Sequence, residues 1–68
     1  MITAQEAHHR LSLCHLERAT ALSEGLGGNA TYLADLDREI AAWRDAYVLA
    51  AVTEIATLRA QLSGPQAG

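Results

Sequence analysis

The feature that most constrains this chain is a row of apolar residues with neither Gly nor Pro inside it. Leu33, Leu36, Ile40, Trp43, Tyr47, Ala50, Ala51, Leu58 and Leu62 recur at steps of three and four residues or their sums. That is the spacing of one face of an α-helix. A helix from about Ala30 to Leu62 would be roughly 50 Å long at about 1.5 Å per residue. Few folds accommodate one helix of that length in so short a chain. The remainder has room for one shorter partner helix and a turn.

The partner is legible upstream. Thr3-Ala4-Gln5-Glu6 is a capping box, in which the Thr3 hydroxyl accepts from the Glu6 N–H and the Glu6 carboxylate reaches back. Ile2 and Ala7 stand where a hydrophobic staple would. The first helix is expected over about Ala4 to Glu24, roughly 30 Å long. Ala4, Ala7, Leu11, Cys14, Ala21 and Leu22 share one side of it, with Arg18 in their midst and His8 and His15 on the shoulder. Leu13 and Leu16 point elsewhere, toward solvent in a monomer. Gly25-Leu26-Gly27-Gly28-Asn29 ends it. Gly25 suits the left-handed C′ position, three glycines in four residues leave no room for a further helical turn, and Asn29 or Thr31 caps the second helix. Asp35 and Asp37 favour the positive end of the second helix dipole. So short a connection makes the helices antiparallel neighbours. Ser63-Gly64-Pro65 stops the second helix, and Gln66 to Gly68 is expected to be a loose tail.

The helices differ in length, and the mismatch has a consequence. Paired antiparallel, the first helix runs out near Ala51 to Glu54, leaving the last two to three turns of the second without an intrachain partner. Yet Val52, Ile55, Leu58 and Leu62 lie there, and Val48, Val52 and Ile55 sit well round from the Ile40–Tyr47 row. Apolar surface that one short helix cannot cover is an interaction surface by default. Val48, Val52, Ile55, Leu58 and Leu62 are therefore the expected partner interface. Leu11, Cys14, Leu22, Leu36, Ile40, Trp43 and Tyr47 are the expected hairpin core, with the two aromatics packed on Leu11 and Ala7. Exposed, that aromatic pair would instead mark a binding hot spot. Arg18 and Glu54 interrupt the apolar rows. The register puts Arg18 opposite about Asp37 to Ile40 and Glu54 near Met1, so they do not pair with each other. Such groups fix register or partner choice in a helical assembly.

Composition narrows the function. Sixty-eight residues make one small domain, residues 1–68, and a chain of this size hides only about 60% of its unfolded surface. Cys14 is the single cysteine, so no disulfide framework adds stability. A second copy or another protein is the expected supplement, completing a helical bundle. The net charge of −3 disfavours nucleic acid, and Asp35, Asp37 and Glu39 are ill placed for a recognition helix. The longest apolar run, Ala46 to Val52, falls far short of the roughly 20 residues that span a bilayer. The polar N-terminus shows no signal peptide. The sequence predicts a cytoplasmic protein.

No residue set dictates a reaction. His8, His9, Cys14 and His15 invite a metal, but one helix presents two ligands to one ion at spacings of three or four. Their separations are one, five, six and seven, so only a site shared between subunits could chelate. Cys14 on an apolar face is more often a small core hydrophobe than a reactive thiol. The glycine-rich turn comes after a helix and lacks the Lys-Ser/Thr ending of a phosphate loop. The expectation is no cofactor, no metal and no enzyme.

Ile40-Ala-Ala-Trp43-Arg-Asp-Ala-Tyr47, Ala51-Val-Thr-Glu-Ile-Ala-Thr-Leu-Arg59 and Gly64-Pro65 together resemble the ends of short uncharacterised helical proteins from phages of high-GC bacteria. The resemblance covers about the last 29 residues and carries no functional motif. It implies a virion component, an assembly factor or a modulator of a host protein. The reading of the whole chain is an all-α antiparallel hairpin that serves protein–protein interaction or assembly. The alternatives are a small acidic inhibitor of a host protein and a metal- or thiol-dependent module shared between subunits.

Overall fold

The structure, a computed structural model, describes residues 1–63. The expected Gly64-Pro65 stop and the 66–68 tail lie outside the described residues. Helix α1 runs Ala4–Ser23, a single 3₁₀ turn spans Leu26–Gly28, and helix α2 runs Ala30–Leu62. The chain is a long antiparallel hairpin. Its extents are 64 × 16 × 13 Å and its radius of gyration is 17.5 Å, against about 11 Å for a compact domain of this length.

Each boundary has a local cause. The Thr3 Oγ1 accepts from the Glu6 N–H at 3.0 Å and starts α1. At its other end the Glu24 N–H donates to the Thr20 carbonyl at 2.9 Å and the Gly25 N–H to the Leu22 carbonyl at 3.2 Å. Gly25 stands at φ +88, where a side chain would strain the backbone. The glycines do leave room for a further helical turn, contrary to expectation: Leu26–Gly28 closes as one 3₁₀ turn, with the Asn29 N–H donating to the Leu26 carbonyl at 3.0 Å. Such tight turns are common connectors. Of the two expected caps for α2, Asn29 is used; its Oδ1 accepts from the Tyr32 N–H at 3.0 Å. The Ser63 N–H donates to the Arg59 carbonyl at 2.9 Å and closes the described end of α2.

The helices meet along two rows of alternating three- and four-residue spacing. On α1 the row is Ala4, Ala7, Leu11, Cys14, Arg18 and Ala21; on α2 it is Leu33, Leu36, Ile40, Trp43, Tyr47, Ala50 and Glu54. This is the repeat of a coiled-coil seam. Its buried members are small: Ala7, Cys14, Ala21 and Ala50, with Leu36 the one large side chain among them, 3% exposed. Leu11, Ile40, Trp43 and Tyr47 are half-buried along the edges. The expected core is corrected at Leu22, which is exposed, while Ala21 is buried. Adjacent helix positions lie about 100° apart; Ala21 continues the row and Leu22 turns off it toward Gly27.

The aromatics are likewise less enclosed than expected. The Arg10 guanidinium lies over the Trp43 ring at 5.9 Å, and the His8 and Tyr47 rings stand 5.4 Å apart, tilted by 56°. Polar groups of α1 therefore cover the outer edges of both rings.

Candidate interaction surface

Three contacts fix how far each helix extends past the other. At the open end the Ala4 N–H donates to the Glu54 carboxylate at 2.6 Å. A carboxylate there satisfies a donor of the first turn and faces the positive end of the α1 dipole. In mid-hairpin the Arg18 Nε donates to the Asp37 Oδ1 at 2.8 Å. That hydrogen bond, with the attraction of the opposite charges, raises the Arg18 pKa and lowers that of Asp37. Near the turn the Tyr32 hydroxyl donates to the Glu17 Oε2 at 2.6 Å, and the bond raises the Tyr32 pKa. Arg18 and Glu54, which interrupt the apolar rows, each have their partner on the other helix of the same chain.

Glu54 meets the first turn of α1, so α2 extends past the start of α1 from Ile55. The seam row itself turns polar beyond this point, through Glu54, Thr57 and Gln61. The apolar residues move to another side. Val48, Val52, Ile55, Leu58 and Leu62 are each more than half exposed, Ile55 at 57% and Leu62 at 70%. Val52 and Ile55 join Ala56, Arg59, Ala60 and Ser63 around a shallow depression. Val48, Leu58 and Leu62 lie outside its rim. Leu49, also exposed, had no place in the expected interface.

The other end of the rod carries a second apolar surface. Leu13, Leu16, Glu17, Thr20, Ala21, Glu24, Leu26 and Tyr32 line another shallow depression, with Leu16 63% exposed. The outward direction of Leu13 and Leu16 was legible in the helical wheel. The participation of Leu26 and Tyr32 was not, because three elements meet there.

Cys14 is buried in the seam. Burial raises its pKa, and the negative charge of Glu39 and a hydrogen bond to it act in the same direction, so the thiol keeps its proton at neutral pH. His8, His9 and His15 are exposed. Among the described residues no three His, Cys, Asp or Glu side chains cluster as metal ligands, and no helix is long and apolar enough to cross a membrane. No family model, curated protein or solved structure matches this chain.

Proposed function

We propose that this chain is a non-enzymatic helical interaction or assembly module that works through the exposed length of α2. The observation that carries this reading is the apolar strip on α2 around and beyond Glu54, the residue at which α1 begins. An exposed row of this kind on a rod is characteristic of a surface that another helix covers. Removing the exposed half of a Val, Leu or Ile from water yields about 1 kcal/mol. Val48, Val52, Ile55 and Leu58 therefore supply about 4 kcal/mol from one side of a contact, enough to matter against an association cost of about 4–15 kcal/mol. A virion or assembly role is part of this proposal.

Light scattering coupled to size exclusion, over a hundredfold range of concentration, tests the reading. The expected result is a mass that rises with concentration and falls to that of one chain in Ile55→Asp. A cooperatively melting helical monomer at every concentration, with a melting temperature independent of concentration, would count against it.

A further inference from the structure

We infer that the partner of the α2 overhang is the turn end of a second copy, so that hairpins join head to tail. The inference rests on the interaction reading above and names its partner. Both surfaces belong to the same rod, at opposite ends. The overhang depression holds Val52, Ile55, Ala56 and Ala60, with Arg59 as its charged group. The turn-end depression holds the exposed Leu13, Leu16 and Leu26, with Glu17 and Glu24 as its charged groups. Apolar meets apolar and the charges are opposite, the arrangement that sets register between helices.

The dimensions agree. Val52 to Ser63 and Leu13 to Glu24 each cover eleven residue steps, roughly 16 Å of helix. When two rods are placed one after the other in the same direction, the overhang of the first runs antiparallel to α1 of the second. That repeats the way α2 already packs on α1 within a chain, and it brings Arg59 to the level of Glu17 of the next copy when Val52 lies level with Glu24.

Area points the same way. The chain leaves 5142 Å² accessible, roughly 1,000 Å² more than a compact monomer of its mass. Stable interfaces take about 800 Å² from each partner. Two overhangs paired about a two-fold axis would cover one surface and leave the turn-end surface bare. A head-to-tail contact uses both surfaces of every interior copy. Such a contact is heterologous, so it closes into a ring or propagates as a filament.

Two substitutions at exposed positions, Ile55→Asp and Leu16→Asp, separate the possibilities in sedimentation velocity, with helix content checked by circular dichroism. The wild-type chain should grow past a dimer as concentration rises. Each variant alone should sediment as one chain, because each has lost one half of the contact. Mixed in equal amounts they should form a one-to-one dimer and stop there, since each supplies the surface that the other lacks. Arg59→Glu should weaken wild-type assembly at least tenfold, and Glu17→Arg in the accepting copy should restore part of it. If Leu16→Asp associates like the wild type while Ile55→Asp does not, the overhangs pair with each other: the head-to-tail inference is overturned and the interaction reading stands. If the wild-type chain stays a monomer at every concentration, self-association is overturned altogether.

Discussion

Leu36→Ala removes the one large side chain among the described residues that is buried, and its cost can be worked from the seam. Leu36 is 3% exposed and its buried companions are alanines and a cysteine, so little else can move in to fill the space. Losing its three terminal carbons forfeits about 2.4 kcal/mol at about 0.8 kcal/mol per methylene. A cavity adds to this, but a two-helix seam is open along both edges, so the total belongs near the low end of the observed range of about 2–5 kcal/mol. The whole chain has on the order of 3–10 kcal/mol of stability to lose. For a domain of this size the change lowers the melting temperature by about 10–20 °C. Circular dichroism at a fixed chain concentration measures it, since any association shifts the melt. Leu22→Ala is the control: Leu22 is 44% exposed, and its truncation should cost about 1 kcal/mol. A loss from Leu36→Ala no larger than that from Leu22→Ala would refute the seam as described.

Further outcomes can be checked with the same assay and with amide exchange. Gly25→Ala should destabilise by about 1 kcal/mol because Gly25 sits at φ +88, whereas Gly28→Ala, with open space around it and no positive φ, should be neutral or stabilise by about 0.4–1 kcal/mol. Glu54→Ala should speed amide exchange in the first turn of α1, where Ala4 loses its acceptor, and leave the exchange of α2 near Leu36 unchanged. The Asp37 carboxyl is held below its ordinary value by Arg18, so its contribution is present above the ordinary carboxylate range and is lost as pH falls through the folded value. The acid limb of a melting-temperature profile should therefore lie below about pH 4 and shrink in Asp37→Asn. Cys14 and Tyr32 are both raised; their contribution is complete below their ordinary values and is lost on raising the pH. Stability should decline above about pH 8.5, where a free thiol ionises, and Cys14→Ala should flatten the first part of that decline.

What the sequence determined was everything set by neighbours along one helix. Thr3, Gly25 and Asn29 act on backbone groups within a few residues, so both helices and their limits could be read within a residue or two. The spacing of Ala7, Leu11, Cys14 and Arg18, and of Leu36, Ile40, Trp43 and Tyr47, marked the two facing rows. The short connection then set Arg18 opposite Asp37 and left the end of α2 extending past α1.

What only the tertiary structure decided was how the two rows engage. Helical period groups residues onto a face, but a face is broad, and the partner selects which of two adjacent positions it covers. That choice buried Ala21 and left Leu22 exposed. It also brought Glu54 within 2.6 Å of the Ala4 N–H, fifty positions away along the chain, turning a polar interruption of an apolar row into an acceptor for the first turn of the other helix. The turn-end surface arises in the same way: Leu13 and Leu16 come from α1, Leu26 from the 3₁₀ turn and Tyr32 from α2. No periodicity within one helix encodes that meeting, because it exists only once the chain has folded back on itself.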